Sequence, residues 1–399
     1  MSGLPDGWVE TTLGDVSIKK QYGYTESASL EKVGPKFLRI TDIQYDFINW
    51  TAVPYCPITD SNYLKYKLEV GDVVIARTGN STGATATIKD NVDAVFASYL
   101  IRFKINPIKV HYNYIDFLLR SFYWRSFVKS IKSGSAQGGA NANDFAEFPI
   151  NLPSLNEQKT IANILSSFDE KIELLREQNE TLETLAQTIF KEWFVNFNYP
   201  DATGEMEGSE LGDIPKGWRV GKLNEQVNIT MGQSPKGDSY NELSDGMVFY
   251  QGRAEFQSRF PQRRLHTTEP KRIAEKFDVL MSVRAPVGDI NVATEQCCIG
   301  RGLAAINSEY KSYALYRMKS LKKEFDKFES EGTVFGSINK NSLEGIKVVI
   351  PLQNIIESYD LIAHPLDEKI YQNFSQIQTL TKTRDTLLPK LMSGQVRVN

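Results

Sequence analysis

The sequence predicts a mixed α/β fold made of two similar globular domains, separated by two long helices that pair as an antiparallel coiled coil. Two observations carry this prediction. Short motifs recur in the same order in both halves of the 399-residue chain, and each half ends in a long stripe of apolar residues at heptad spacing. The predicted boundaries are residues 1–153 for the first domain, 154–197 for the first helical spacer, 198–350 for the second domain and 351–399 for the second spacer.

Four short motifs return in order in the second half, which is the pattern of an internal repeat. They are a turn with a tryptophan, a strand-like run followed by an arginine, a Gly/Asn loop before a proline, and a charged helical tetrapeptide. The pairs are Leu4–Trp8 with Ile214–Trp218, Leu68–Arg77 with Lys276–Arg284, Ser133–Pro153 with Glu331–Pro351, and Asp169–Ile172 with Asp367–Ile370. The last two pairs share a constant offset of 198 residues, so the halves are predicted to share one fold.

Each half begins with a body of short strands. Runs typical of strands at 37–40, 73–76 and 99–103 alternate with Gly, Asn, Ser and Pro turns, and one stretch near 112–131 has helical periodicity. This mixture predicts an α/β domain.

Each half ends in a heptad stripe. Ten positions from Ile161 to Trp193 follow a 4-3-4-3 spacing and nine of them are apolar. The second stripe, from Tyr359 to Leu391, is weaker, because Arg384 lies on the seam and Pro365 is expected to kink or restart the helix. Such stripes are typical of a coiled coil, and the first would span roughly 50 Å. Two unrelated amphipathic helices, each packed on its own domain, are the alternative.

Antiparallel pairing about a pseudo-two-fold axis also predicts a register. The predicted seam pairs are Ile161 with Leu391, Phe168 with Arg384, Ile172 with Leu380, Leu175 with Ile377, Asn179 with Asn373, and Trp193 with Tyr359. The two asparagines would form one buried polar layer that fixes the register, since a slip of one heptad leaves each amide against an apolar side chain. The alternative is that both asparagines face water at a frayed stretch. The same register places Arg384 on the seam, where its side chain must reach solvent or a nearby Glu.

Composition narrows the class of protein. The hydrophobic fraction of 41% and the charged fraction of 24% are typical of a soluble globular protein, no apolar run reaches the roughly 18 residues of a membrane span, and the N-terminus does not resemble a signal peptide. Cys56, Cys297 and Cys298 form no CxxC pair, so neither a disulfide framework nor a structural zinc site is expected. The expected compartment is the cytoplasm.

The net charge of −3 is unevenly distributed along the chain. Residues 151–206 carry 4 basic and 10 acidic side chains, whereas residues 1–150 carry 16 and 15, and residues 207–350 carry 21 and 19. The acidity therefore lies in the first helical segment. The weakly positive domains are compatible with DNA through a local basic face, although the charge alone predicts no nucleic-acid partner.

The sequence contains no recognisable catalytic motif. It has no GxxxxGK[ST] loop, no GxGxxG after a strand, no HExxH, no calcium loop and no Asn/Asp-Pro-Pro-aromatic tetrapeptide of the amino-methyltransferases. Asp169-Glu170-Lys171 has the Asp-x-Lys form found in metal-dependent nucleases, but it lies in a heptad helix and is interpreted as a set of solvated helix charges. His111, His266 and His364 lack metal-ligand spacing. We therefore expect neither catalysis nor a bound metal.

The best signal for nucleic-acid binding is the stretch 250–272, in which Arg and Gln alternate with aromatic residues. Cations neutralise phosphates, while Arg and Gln forks read guanine and adenine edges. Candidates in this domain are Lys236, Arg253, Arg259, Gln262, Arg263, Arg264, Lys271 and Arg284; the first domain offers Arg39, Gln44, Arg77, Thr78, Asn80, Ser81 and Lys89. A solvated basic loop is the alternative. The Gly/Ser/Asn loops at 133–143 and 332–341 either present N–H groups to phosphates or simply connect into the final strand.

Several motifs carry a resemblance to a known family, most specifically between Gly232 and Leu303. The matching residues are Gly232–Pro235 with Tyr240-Asn241, Gln251-Gly252, Ser282–Asp289 and Ile299–Leu303, together with Leu4-Pro5-x-Gly7-Trp8 and the junction Leu152-Pro153-x-Leu155-x-Glu157-Gln158. With these the chain resembles, over essentially its whole length, the specificity subunits of Type I restriction-modification systems. The second junction, Pro351–Asn354, departs from the pattern because it lacks the Glu-Gln pair.

The resemblance implies a division of labour. Each domain would read one half of an asymmetric, two-part double-stranded DNA target, and the paired helices would hold the domains apart and bind two methyltransferase subunits. S-adenosylmethionine, ATP and Mg²⁺ would be bound by the methyltransferase and restriction/motor subunits, and no cofactor by this chain. The alternatives are a nuclease or methyltransferase with a duplicated domain, and a stand-alone duplicated DNA-binding or scaffold protein without methyltransferase partners.

Overall fold

The computed structural model describes residues 4–43, 48–133, 139–329 and 336–398. The chain divides into two compact units, Met1–Glu173 with Ile377–Asn399, and Leu174–Gln376. The strands are β1 (Val9–Thr12), β2 (Ser17–Tyr22), β3 (Lys36–Leu38), β4 (Asp72–Ala76), β5 (Thr85–Thr87), β6 (Ala94–Phe96), β7 (Leu100–Ile105), β8 (Pro149–Leu152), β9 (Met206–Ser209), β10 (Gly212–Pro215), β11 (Arg219–Lys222), β12 (Asn228–Met231), β13 (Tyr240–Asn241), β14 (Met247–Tyr250), β15 (Leu265–Thr267), β16 (Ile273–Ala274), β17 (Val279–Ser282), β18 (Ile290–Val292), β19 (Cys297–Ile299), β20 (Leu303–Asn307) and β21 (Lys347–Ile350).

The helices include two of exceptional length, one at the end of each half. They are α1 (Asp60–Tyr66), α2 (Tyr112–Arg120), α3 (Phe122–Ser133), α4 (Ala142–Ala146), α5 (Leu155–Phe194), α6 (Lys311–Ser320), α7 (Lys322–Asp326), α8 (Lys340–Glu344) and α9 (Gln353–Met392). Helices α5 and α9 each contain 40 residues.

The first unit is built on an antiparallel sheet with the strand order β2-β7-β4-β5. Its central strand β4 is buried at every position. This is expected for the apolar run 73–76 covered on both faces, and the buried Asp72 is paired with Arg102 at 3.2 Å. Strands β3 and β6 form a parallel pair, and β1 pairs antiparallel with β8, with Val9 opposite Leu152. Strand β8, which leads into α5, is thereby tied to the start of the chain.

The second unit repeats this arrangement. Its antiparallel sheet has the order β12-β20-β17-β18, the parallel pair returns as β14 and β19, and β11 pairs with β21 as β1 does with β8. Additional strands extend the parallel pair into a five-stranded sheet, and β9 and β10 form a separate hairpin. The prediction of two α/β domains of like fold is therefore confirmed by the equivalent order of their elements.

The predicted helical stretch near 112–131 consists of two helices that meet at Ser121. The Ser121 hydroxyl donates to the carbonyl of Leu118 (2.6 Å), which ends α2, and accepts from the backbone N–H of Trp124 (3.5 Å), which starts α3. Serine is suited to this position because its side chain satisfies backbone groups at helix ends. Trp124 then anchors α3 by donating through Nε1 to the carbonyl of Gly83 (2.8 Å).

Within the second unit, α5 and α9 pair in the predicted antiparallel register. The Asn373 side-chain amide donates to Oδ1 of Asn179 at 2.9 Å, and the rings of Trp193 and Tyr359 lie 6.1 Å apart. Tyr359 also donates through its hydroxyl to the carbonyl of Ala186 (3.0 Å). The asparagine layer is confirmed, and the alternative of two separately packed helices is wrong.

Within the first unit, Ile161 of α5 and Leu391 of α9 lie in one buried cluster, as the register requires. Arg384 satisfies its charge as expected for a cation on the seam, but its partner is an aspartate rather than a glutamate. Its Nη1 lies 2.6 Å from Oδ1 of Asp169, the residue after Phe168.

Pro365 does not interrupt α9, contrary to the sequence-based expectation. Proline removes one N–H and one intrahelical hydrogen bond, and Pro365 is exposed, so water can reach the carbonyl left without a partner. Buried Ala363 and Ile370 on either side hold the helix on the core. Packing therefore outweighs the local cost of the proline.

The repeated tryptophans are held in two different ways. In the first unit, Trp8 donates through Nε1 to Glu157 (3.2 Å), and Arg397 donates to both carboxylate oxygens of Glu157 at 2.7 and 3.0 Å. In the second unit, Ile355 occupies the position of Glu157, 198 residues further on. The ring of Trp218 there stacks on Tyr199 with centroids 5.2 Å apart, and its buried Nε1 has no hydrogen-bond partner among the described residues.

We expect the asparagine pair to behave as a unit. Asn179→Leu should lower the free energy of unfolding by about 1–3 kcal/mol, because Asn373 loses its acceptor in a buried position. Asn179→Leu combined with Asn373→Leu should recover most of this loss, since two apolar side chains then face each other. Chemical denaturation measures both variants.

Gln372→Ala is the matched control, because Gln372 is exposed beside Asn373 on the same helix and should change stability by less than about 0.5 kcal/mol. A double variant that is destabilised by the sum of the two single losses would contradict the paired arrangement.

Candidate nucleic-acid interface

Three arginines of the stretch 250–272, within its part 251–272, reach solvent in the second unit. The side chains of Arg253, Arg263 and Arg264 are 51%, 60% and 51% exposed. Each has one carboxylate within 3 Å: Asp289 at 2.8 Å, Glu295 at 2.5 Å and Glu255 at 2.5 Å, respectively. Glu242 lies farther from Arg264, at 3.9 Å. A half-exposed guanidinium held at one edge keeps further donors for a phosphate or a base.

Arg259 lies in the same stretch but is buried, with only 7% of its side chain exposed. It pairs with Glu183 of α5 and Asp367 of α9. The sequence-based assignment of Arg259 to DNA contact is therefore corrected: its guanidinium packs against the helices and has no exposed fork to offer a phosphate. Composition alone did not distinguish it from its exposed neighbours.

The remaining candidates of the second domain are exposed on three separate segments. Gln262 and Lys271 flank β15, Lys236 follows β12, and Arg284 follows the central strand β17. Arg284 is held at the backbone level by a bridge to Ser337, in the part of the Gly/Asn loop that the structure describes. Residues 330–335 and 134–138, on which the two Gly/Ser/Asn loops at 332–341 and 133–143 partly fall, lie outside the described residues.

In the first unit, the loop after the central strand β4 occupies the place that the Arg284 loop has in the second. Thr78, Asn80 and Ser81 form a tight turn there, with Asn80 exposed. The Arg77 guanidinium lies over the ring of Tyr22, 5.0 Å from its centroid. The loop after the central strand thus carries a candidate arginine in both units, which the repeat-based alignment of Arg77 with Arg284 predicts.

Arg39 and Lys89, the other first-domain candidates that the structure describes, are each paired with a carboxylate. Lys89 forms an ion pair with Asp116 at 2.8 Å. Arg39 pairs with Asp42 at 2.8 Å, and the hydrogen bonds that it donates to Asp42 raise the pKa of this guanidinium. Gln44 lies outside the described residues. The structure therefore places Arg77 beside the 78–81 turn, while Arg39 and Lys89 lie elsewhere in the unit, 40% and 43% exposed.

Asp169 and Asp367, the first residues of the repeated tetrapeptide, are not the solvated charges expected from the sequence. Asp169 accepts from Arg120 of α2 and from Arg384 of α9, each at 2.6 Å. Asp367 accepts from Arg259, and from the Tyr316 hydroxyl at 2.9 Å. Both aspartates are paired instead of solvated because each faces the domain of its own unit. The signal that could have found them is the unchanged return of the tetrapeptide at one offset.

Cations control the ionisation of these helix carboxylates. Burial alone would raise the pKa of Asp169, but the charges and hydrogen bonds of Arg120 and Arg384 outweigh it and hold the pKa below its ordinary value. Burial would likewise raise the pKa of Glu183, but the charges and hydrogen bonds of Arg259 and Lys319 outweigh this effect and lower the pKa. Both carboxylates therefore stay charged at neutral pH and bind their domains through ionic contacts.

Among the residues that the structure describes, no three His, Cys, Asp or Glu side chains are grouped as metal ligands. In the same part of the chain, no helix is both long and apolar enough to cross a bilayer.

Known proteins with similar sequences include specificity subunits of type I restriction enzymes. The model of the Type I restriction modification DNA specificity domain matches this chain twice, at residues 5–184 and 215–390. A putative type I restriction enzyme MjaX specificity subunit of Methanocaldococcus jannaschii is 31% identical, over 99% of this chain and 95% of that protein. The type I restriction enzyme HindI specificity subunit of Haemophilus influenzae is 20% identical, over 98% and 99%.

A solved structure supports the fold. The S subunit of a Type-I restriction-modification system from M. genitalium aligns with a TM-score of 0.65 at 17% sequence identity, covering 98% of this chain and 97% of that one. At this identity the likeness concerns the fold alone.

We expect Asp169→Asn to lower the free energy of unfolding by about 1–3 kcal/mol at pH 7, because Arg120 and Arg384 then lose the carboxylate that they share and keep Asp116 and Asp385, respectively. The loss should shrink as the pH falls below about 4, the ordinary pKa of an aspartate. It should vanish only below the lowered pKa of Asp169, where the wild-type carboxylate is protonated and its ionic stabilisation is gone. Denaturation at pH 7 and pH 3 measures both effects.

Asp385→Asn provides the control. Asp385 pairs with the same Arg384 but its side chain is 58% exposed, so this change should cost less than about 0.5 kcal/mol. A loss for Asp169→Asn that is the same at both pH values would refute the ionic explanation.

Proposed function

This chain belongs to the Type I restriction-modification DNA specificity family, and on that basis we propose what each of its parts does. The chain recognises the DNA target of a Type I restriction-modification complex and directs that complex to it. The observation that carries this function is the double family match at 5–184 and 215–390, in two domains with the same order of strands. We infer that each domain reads one half of an asymmetric, two-part target.

We assign DNA contact first to the second domain's exposed arginines, Arg253, Arg263 and Arg264, together with the loops that follow the central strands at Arg77 and Arg284. Half-exposed guanidinium groups fixed by one carboxylate suit base and phosphate contacts, because the fork is pre-oriented while donors stay open. Arg259 is left out of this set since its side chain is buried.

We assign the outer faces of the paired helices to methyltransferase subunits. In the second unit, large apolar side chains on these helices lie at solvent-exposed positions: Leu174, Leu185, Leu361 and Ile362. Leu174 and Leu185 are eleven residues apart, about three helical turns, and therefore share one face of α5. An exposed apolar face on a helix supports docking of another helix.

We infer that this chain performs no chemistry itself. Its sequence has no motif for methyl transfer, nucleotide hydrolysis or metal-dependent cleavage, so those reactions would be carried out by partner subunits that bind S-adenosylmethionine, ATP and Mg²⁺. We place the assembled complex in the cytoplasm, where the chromosomal DNA is.

Mapping methylated adenines in the host genome tests this function. Deleting the gene should abolish methylation at one asymmetric, two-part sequence, and restoring the gene should bring it back, because no other subunit would read that target. An unchanged methylation pattern in cells whose methyltransferase subunits are active would contradict the function. Tight, sequence-specific DNA binding by the purified chain alone would instead favour a stand-alone DNA-binding protein.

We expect single changes of Arg253, Arg263 and Arg264 to Ala to weaken DNA binding by the assembled methyltransferase. An arginine that reads a base should lose about 1–3 kcal/mol for the target sequence only, whereas a phosphate contact should weaken all sequences alike and reduce the salt dependence by about one ion. Fluorescence anisotropy with target and scrambled duplexes, at several salt concentrations, measures this.

Lys340→Ala is a control, since Lys340 is a surface lysine that pairs with Glu344 within its own helix α8. Wild-type affinity in all three arginine variants would exclude the 251–272 stretch from the DNA interface.

A further inference from the structure

Arg259 connects the stretch 251–272 with both long helices in the second unit. Its Nη1 lies 3.1 Å from Oε2 of Glu183 on α5, and its Nη2 lies 2.5 Å from Oδ1 of Asp367 on α9. The Tyr316 hydroxyl also lies 3.4 Å from Nη1 and donates to Asp367. One guanidinium therefore bridges two helices that are paired with each other.

The charges at this bridge are balanced. Glu183 also forms an ion pair with Lys319 of α6, so two carboxylates face two cations. Burial would lower the pKa of Arg259, but the charges of Asp367 and Glu183 and the nearby Tyr316 outweigh it and raise the pKa. The guanidinium thus remains charged although it is buried, and both of its ends are engaged.

The backbone around Arg259 is fixed as well. The N–H of Val292 in β18 donates to the carbonyl of Arg259 (2.9 Å). The next side chain, Phe260, packs on Phe374 of α9 with ring centroids 4.7 Å apart. The exposed arginines at 253, 263 and 264 are therefore carried by a segment that is attached to the helices near its middle.

A buried ion pair adds little net stability compared with apolar packing, because desolvation of the charges offsets their attraction. What a guanidinium fork adds is direction, since its planar donors accept only certain partner geometries. We propose that Arg259 is a positioning residue for DNA recognition: by bridging Glu183 and Asp367 it fixes the orientation of the recognition segment and of its exposed arginines. This role rests on the function proposed above.

The other half of the repeat supplies a comparison. Asp169 occupies the repeat position of Asp367, but its arginine partners, Arg120 and Arg384, belong to helices α2 and α9. Loss of Asp169 removes a matched ion pair between helices without touching a recognition segment. The effect of Asp367 on DNA should therefore be confined to the half of the target that the second domain reads.

The test uses the complex assembled with its methyltransferase subunits and a duplex carrying the target found by methylation mapping. For Arg259→Met and for Asp367→Asn, we expect the dissociation constant for this duplex to rise about tenfold or more. Affinity for a scrambled duplex and the salt dependence should stay at wild-type values. Both variants should tolerate base substitutions better than wild type in the half of the target that the second domain reads. Their tolerance in the other half should equal that of wild type. Arg259→Lys should restore part of the loss, and Asp169→Asn should leave discrimination at both halves intact.

Asp367→Asn distinguishes a positioning role from a direct effect of charge, because the two predict opposite changes in DNA affinity. Asp367→Asn removes a negative charge, so if only electrostatic attraction to DNA mattered, binding would tighten for every duplex. Tighter binding, or a lower salt dependence in Arg259→Met, would overturn the positioning role and make Arg259 a direct contact. Equal loss of discrimination at both halves would also overturn it, because general loosening of the fold would then explain the result.

Arg263→Ala distinguishes failure of the positioning role of Arg259 from failure of the proposed DNA contact by the exposed arginines. If Arg263→Ala weakens binding while Arg259→Met and Asp367→Asn do not, only the positioning role is refuted. If Arg253→Ala, Arg263→Ala and Arg264→Ala also bind like wild type, the segment does not contact DNA and both assignments fall.

Discussion

The antiparallel pairing of α5 and α9 is the interaction on which both domains depend. In each unit the hydrophobic core contains side chains from both helices: Ile161 and Leu165 with Leu391 in the first, and Phe190 with Tyr359 in the second. Neither core is complete without both. Because residues 377–399 belong to the first unit, that unit closes only when these residues have been made. Their contacts with residues 1–173 have a very high sequence separation.

The sequence predicted those parts of the structure that follow from periodicity. Apolar residues at heptad spacing determine which face of a helix is buried, so the register and the pairing of Asn179 with Asn373 could be derived before any coordinates. The order of repeated motifs likewise implied two domains of one fold. These inferences succeed because burial of an apolar stripe is dictated locally along the chain.

The partners of individual charges could not be predicted in this way. Arg259 and Arg263 are four residues apart and chemically identical, yet one bridges two helices and the other reaches solvent. Which of them is buried depends on where Glu183 and Asp367 lie in space, more than 70 residues away along the chain in either direction. The same holds for Pro365, whose helix-breaking tendency is outweighed by packing that no local pattern contains.

Ion pairs with the domains explain part of the acidity of the first helical segment. Residues 151–206 contain 10 acidic and 4 basic side chains, which as composition alone suggested only a solvated surface. Two of the acids, Asp169 and Glu183, instead accept arginines or lysines from the adjoining domain within their units. The helices attract the cationic domains, and each domain keeps other arginines free of the helices.

The two tryptophan sites make the halves of this chain respond differently to their surroundings. Trp8 is held by the ion pair between Glu157 and Arg397, which dissolved salt screens, whereas Trp218 is held by stacking on Tyr199, which excluded salts such as sulfate strengthen. A rise in ionic strength would therefore weaken the contact of Glu157 with Arg397 at Trp8 and leave the stacking of Trp218 on Tyr199 unscreened. The two halves of a single molecule would thus differ in their sensitivity to salt.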